Sequence, residues 1–163
     1  MESRTINIKS PNNFAERIRT TYIKGIKPDQ FIKNLRDLKI NVVVDVRFSC
    51  RYPSYYVPGK MKHLLEENGI EYLRYRELGN PSNLRKIAGE NTILGRKLYK
   101  EHVLKQEGSR KQFKELYRQI DDHPEKIYCL ICYCPTWDLR SCHRFWLREL
   151  LIKLKKRMGD NQK

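Results

Sequence analysis

Two apolar runs stand out along the chain. Ile40 to Val46 contains three consecutive valines, Val42, Val43 and Val44, and Lys126 to Tyr133 contains Ile127, Leu130 and Ile131. Continuous apolar runs of this length predict strands buried on both faces. Thr20 to Ile23 and Ile70 to Tyr75 are β-branched and aromatic, and predict two further strands. Between these runs the apolar period changes to that of a helix. Phe31, Ile32, Leu35 and Leu38 recur at helical spacing in a stretch that Asp29 can cap and that runs to about Lys39. Lys60 to Asn68 places Met61, Leu64 and Leu65 on one face, and Gly69 is placed to end that helix in the left-handed conformation. Leu84 to Lys105, with a break, and Arg110 to Ile120 read as helices. So does the segment from Ser141 onward, where Leu147, Leu150, Leu151, Leu154 and Met158 recur. Phe48 to Gly59 and Glu77 to Pro81 are rich in aromatic and turn residues and predict loops.

Strands alternating with helices predict an α/β fold: a single domain over residues 1–158 with a largely parallel sheet, helices on both faces in three layers, and a polar tail over 159–163. In such a sheet, ligands bind beyond the carboxyl ends of the strands. Both strong strands end there in chemically loaded residues. The first ends in Asp45-Val46-Arg47, and the second in Cys132-Tyr133-Cys134 followed by Cys142-His143-Arg144 at a helix start. If the two strands are parallel neighbours, Asp45, Arg47, Cys132, Cys134, Cys142 and His143 share one cleft.

Charge changes the picture next. The chain carries 34 basic and 19 acidic residues, a formal net charge of +15. That exceeds what solubility requires of a small domain and points to a polyanionic partner, nucleic acid or a nucleotide. The charge is uneven. Residues 1–40 hold nine basic and four acidic side chains, 96–118 hold eight and three, and 140–157 hold seven and one. Arg140, Arg144 and Arg148 are spaced i, i+4, i+8 and form one stripe if the last helix includes all three. No apolar run approaches the ~20 residues that cross a bilayer, so no membrane contact is expected. Five cysteines without a secretory signal read as reduced thiols and lead to the expectation of a cytoplasmic protein.

The candidate site residues follow from their chemistry. Asp45 and Arg47 alternate across Val46 and share a strand face, as a structural ion pair or as a base with an anion clamp. Cys142 sits where free backbone N–H groups, a helix dipole and its neighbours His143 and Arg144 favour a thiolate and bound anions. It is the candidate nucleophile, and Asp45 the candidate base. Cys132, Cys134, Cys142 and His143 are also a possible Cys₃His zinc set. However, zinc sites usually start with a Cys-x₂₋₄-Cys chelate and this one starts with Cys-x-Cys, so no metal and no cofactor are expected. Arg51 beside Tyr52, Tyr55 and Tyr56 fits base stacking on an unpaired strand, or equally a loop pinned by its own aromatics. Binding contacts are expected from Arg47, Arg51, Tyr55, Tyr56, Cys132, His143, Arg144 and Arg148.

The chain resembles the domain of unknown function 488 family, a set of small prokaryotic α/β proteins. The resemblance covers about Thr20 to Leu151. It is carried by the Thr20-x-x-x-x-Gly25 approach to a helix, Val44-Asp45-Val46-Arg47 followed by Pro53, Gly69-Ile70-x-Tyr72, Glu77-Leu78-Gly79, and Leu130-Ile131-Cys132 leading to Cys142-His143-Arg144. Cys134 stands where many members carry an acidic residue, and the loop before Cys142 is longer than usual. The resemblance implies the fold and the place of the site, and names no reaction. The resulting expectation is a nucleic-acid-binding protein, acting on DNA or RNA if it is an enzyme, with an anion or nucleotide cleft at the strand ends. The alternative is a small-molecule enzyme that uses Cys142 or Asp45 on a nucleotide or phosphorylated substrate.

Overall fold

The valine run forms the inner part of the sheet. The computed structural model describes residues 13–51, 53–134 and 142–160. In it β2 (Val42–Asp45) is buried at all four positions and β4 (Tyr128–Cys132) at all five. These are neighbours, flanked by β1 (Ile18–Tyr22) and β3 (Glu71–Arg74) in the order β1-β4-β2-β3. Every pairing is parallel, with Val43 beside Cys129 and Asp45 beside Ile131. Two-sided burial is why β2 and β4 read as continuous apolar runs, whereas the edge strands, half-covered, do not.

Alternation along the strands separates two cores. Val43, Cys129 and Ile131 face α1 (Pro28–Asp37) and α2 (Pro58–Glu67), meeting Phe31, Leu35, Met61 and Leu65. Val42, Val44, Tyr128 and Leu130 face the opposite layer, meeting Tyr99, Leu116, Trp146 and Leu147. That layer contains α4 (Thr92–Lys105), α5 (Glu107–Asp122) and α6 (His143–Asp160), and the short α3 (Ser82–Ala88) precedes it. The three-layer α/β arrangement expected from the sequence is the one observed. No helix among the described residues is long and apolar enough to cross a membrane.

The element boundaries differ from expectation for local reasons. Pro28 occupies the first turn of α1, so Asp29 lies inside that turn, where it meets the helix dipole without capping. Lys39 takes a left-handed φ of 55°, which stops the helix and leaves Leu38 outside the core at 45% exposure. Pro58 likewise starts α2 inside the expected loop, and Gly69, with φ 73°, ends it as expected.

The expected arginine stripe on α6 is not a solvent-facing one. Arg140 lies outside the described residues. Arg144 is 2% exposed. Arg148 donates from Nε to the Ile18 carbonyl (2.7 Å) and from Nη2 to the Ala15 carbonyl (2.7 Å), which binds the entry of β1 to α6. Helical spacing assigned these side chains to one face, but Arg144 turns onto the cysteines at the end of β4 and Arg148 onto the chain entering β1. Replacing Arg148 with alanine is expected to lower the unfolding free energy by about 1.5 kcal/mol, the value of a charged hydrogen-bonding side chain, read as a lower urea midpoint at unchanged slope.

Candidate anion-binding cleft

The carboxyl ends of β2 and β4 open into a cleft of about 560 Å³, in the range of pockets that hold a small ligand. Arg47, Arg51 and Arg85 line it, with no aspartate or glutamate among its described lining residues. Asn80, His143, Cys132 and Cys134 complete its polar wall. Of the residues expected to share a strand-end cleft, Arg47, Cys132, Cys134 and His143 line this one, and Arg51 of the aromatic loop lines it too. Asp45 and Cys142 do not line it.

Strand parity accounts for Asp45. It shares the face of Val43 and Ile131, the side of α1 and α2, whereas Cys132 shares the face of Leu130 and lies toward α6. Asp45 is fully buried. Its Oδ1 accepts from the Arg47 backbone N–H (3.1 Å) and Nε (2.8 Å). Its Oδ2 accepts from Arg47 Nη2 (2.6 Å) and the Tyr72 hydroxyl (2.7 Å). Burial and the Asp45 charge push the Tyr72 hydroxyl well above the ordinary tyrosine range, so it remains a donor. Burial works against the Arg47 charge, but hydrogen bonding and attraction to Asp45 outweigh it and raise its pKa. Arg47 Nη2 also donates to the Tyr56 carbonyl (2.7 Å). What Asp45 does is aim and charge Arg47. Arg47 and Asn80 both line the cleft, and Arg47 Nη1 and Asn80 Oδ1 are buried with no hydrogen-bond partner among the described residues.

The expected stacking loop is mostly core. Tyr56 is fully buried, donates to the Ile26 carbonyl (3.0 Å) and meets Phe31 edge-on at 5.3 Å. Tyr55, half-buried, packs edge-on against Tyr56 at 4.7 Å. Neither faces the cleft: the aromatics pin the loop, because a tyrosine ring buries its face and still satisfies its hydroxyl. Tyr52 lies outside the described residues.

At the start of α6 the side chains interlock. His143 Nε2 lies 2.9 Å from the Val46 carbonyl oxygen, which can only accept, so Nε2 carries the proton. The Nδ1 lone pair is then directed to the opposite side, 3.8 Å from Cys142 Sγ. Burial lowers the His143 pKa against that carbonyl bond, which keeps the ring neutral. Cys132 and Cys142 Sγ are 3.1 Å apart, both buried. Arg144 Nη1 donates to Cys132 Sγ (2.7 Å), Cys142 Sγ (3.2 Å) and the Cys134 carbonyl (2.9 Å).

Cys134 is the exposed thiol of the group. Hydrogen bonds from Cys132 and then Cys142, with His143 and Arg144 nearby, hold it far below the usual thiol range. Cys132 is raised by its bonds to Cys134 and Cys142 and by burial. At Cys142 the bond to Cys132 lowers the pKa, but the bond to Cys134 and burial outweigh it and raise it. The exposed thiol of this group thus stands at the cleft wall on Cys134, while Cys142 is an interior thiol.

Arg85 and Asn80 are site residues that sequence reasoning did not select. The Glu77–Pro81 loop was visible as a loop, and it brings Asn80 to the cleft because Gly79 lies against the Phe48 backbone.

The fold and cleft together define an α/β protein with a cationic pocket at the carboxyl edge of a parallel sheet. A model of the domain of unknown function DUF488 matches residues 27–151, and the chain belongs to that family. No curated protein and no solved structure matches it.

Proposed function

We propose that this is a nucleic-acid-binding protein whose strand-end cleft takes up a phosphate-bearing unit, a nucleotide or a single unstacked nucleotide of DNA or RNA. The observation that carries this reading is the lining itself. Three arginines line it with no carboxylate among its described lining residues, Arg47 being held by Asp45 from behind, and a buried donor, Arg47 Nη1, and a buried acceptor, Asn80 Oδ1, have no partner among the described residues. Leaving such atoms unpaired costs about 1–3 kcal/mol each, which a ligand whose acceptor and donor groups reached them would offset. A guanidinium suits phosphate, and an amide suits a base edge. The cleft volume fits one nucleotide and not a duplex. Sequence-independent affinity would come from the net charge of +15, part of it on exposed Lys97, Arg110, Lys111, Lys114 and Arg118 of α4 and α5. A reducing, cytoplasmic location belongs to the same reading.

The test is binding of single-stranded and duplex oligonucleotides and of a mononucleotide across a salt series. Affinity is expected to fall steeply with salt, and Arg51→Ala and Arg85→Ala each to reduce the slope by about one phosphate contact. Both residues are exposed, so the fold should tolerate the change. Absence of binding at low salt, or wild-type slopes in both variants, would overturn the proposal.

A second reading, chemistry on a nucleotide or phosphorylated substrate, is favoured by the exposed cysteine at the cleft wall. In that case the nucleophile is Cys134 and not the buried Cys142. Turnover abolished by Cys134→Ser and retained in Cys50→Ser would select it.

A further inference from the structure

We propose that Cys132, Cys134 and Cys142 form a thiolate site for a divalent metal ion of the zinc class, with His143 Nδ1 at the fourth position. The three sulfur atoms lie within 4.8 Å of one another, although they come from a strand end, the residue two beyond it and a helix start. Tetrahedral zinc with Zn–S of about 2.3 Å needs sulfur atoms about 3.8 Å apart. The 3.1 Å between Cys132 and Cys142 opens to that value by a small side-chain rotation. The Cys142 Sγ to His143 Nδ1 separation of 3.8 Å already matches an S–N edge of such a site.

Two independent features support a bound cation. The first is the tautomer of His143. Its Nε2–H is committed to the Val46 carbonyl, the backbone anchoring that metal-binding histidines use, and this leaves Nδ1 as a lone pair beside the Cys142 sulfur. The second is charge. Three thiolates, one divalent cation and the Arg144 guanidinium sum to zero, and Arg144 Nη1 already donates to two of the sulfurs from the outer side. N–H donation to coordinated thiolates holds the ligands and offsets their charge. Thiolate donors select zinc over magnesium or calcium. Binding displaces the thiol protons of the three cysteines to solvent as the metal takes their place. The unusual Cys-x-Cys spacing is no obstacle once β4 presents both residues at its end and α6 returns the third from the opposite direction. Cys132, Cys134 and His143 also line the anion cleft, so the ion would add one more positive group to that wall.

The proposal is tested on the full chain, purified without an affinity tag and kept reduced, by titration with zinc and with cobalt(II) as a spectroscopic probe. One ion per chain is expected, with sulfur-to-cobalt charge-transfer bands and the intense visible bands of a tetrahedral site. Cys134→Ser, an exposed position, is expected to fold and to weaken binding about a hundredfold or more, and His143→Gln to weaken it by at least about tenfold. Cys50→Ser, outside the cluster, should bind as the wild type does. No thiolate–cobalt bands in the reduced protein, or wild-type affinity in Cys134→Ser, would overturn the site; wild-type affinity in His143→Gln would remove His143 from the ligand set. The titration needs no anion, and the oligonucleotide assay can be run with chelator, so this inference and the cleft reading fail separately.

Discussion

Replacing Asp45 with asparagine is expected to destabilise the protein by about 3–5 kcal/mol, the cost of leaving a buried charge without its partner. Asp45 is fully buried, and the Arg47 side chain is 2% exposed. Their bidentate contact at 2.8 and 2.6 Å is the sole ion pair of Arg47 among the described residues. Asparagine keeps the shape but has one acceptor oxygen where five donor contacts now arrive, from the Arg47 backbone, Nε and Nη2, from Tyr72 and, more weakly, from the Cys50 thiol. A loss of this size removes much of the 5–15 kcal/mol by which a domain is stable. Urea unfolding followed by tryptophan fluorescence measures it. Arg47→Met should cost a comparable amount, since it strands both the carboxylate and the Tyr56 carbonyl. The Asp45→Asn, Arg47→Met pair should lose less than the two single changes together, by about 2 kcal/mol. Additive losses would show that the two groups do not act as a unit. A pair that is fully stable but no longer binds anion would separate the role of Arg47 in the cleft from its role in the fold.

This pair shows what alternation along a strand reveals and what it does not. That Asp45 and Arg47 share a face was legible, and they touch. That this face is the α1 and α2 side, away from Cys132, depends on which helices cover which face of the sheet, and no local pattern encodes that. The strands themselves were legible for a simple reason: β2 and β4 are buried on both faces, so every position in them is apolar except the terminal aspartate.

Side-chain destinations were harder to read than elements. Tyr56 in an aromatic, arginine-containing loop has the composition of a stacking platform. It is core because a 3₁₀ turn over Ser54–Tyr56 rotates it onto Phe31. Arg144 and Arg148 have the spacing of an exposed basic stripe, yet the Cys132 sulfur and carbonyls at the entry of β1, all more than ten residues away in sequence, hold them. Arg85 carried no signal, because it sits in a seven-residue helix without a buried face. For the cysteines, adjacency in sequence was the weaker guide. Cys132 and Cys142 meet at 3.1 Å because a strand end and a helix start converge, a long-range fact that the spacing of a chelate motif does not contain.

The second large effect is expected at Gly79. Its φ of −69° and ψ of 160° are open to any residue, so backbone conformation is not why glycine is needed. The reason is contact: a Cβ built on Gly79 would stand 2.6 Å from the Phe48 Cα and against its backbone nitrogen. Neither atom can move without shifting the β2–α2 loop. Gly79→Ala therefore forces two loops apart and is expected to cost about 3 kcal/mol, the upper part of the overpacking range. The functional consequence is specific. Phe48 and Ser49 lie on one side of that contact and Asn80 on the other, and all three line the cleft. Separating the loops should displace Asn80 relative to Arg47 and reduce anion affinity even at temperatures where the variant remains folded. Arg148→Ala serves as the comparison, since it destabilises the fold from the far end of the sheet, at the entry of β1. Of the two, Gly79→Ala should lose affinity and Arg148→Ala should retain it when both are assayed well below their unfolding midpoints. Equal affinity in Gly79→Ala and wild type would show that the juxtaposition of these loops does not shape the binding site.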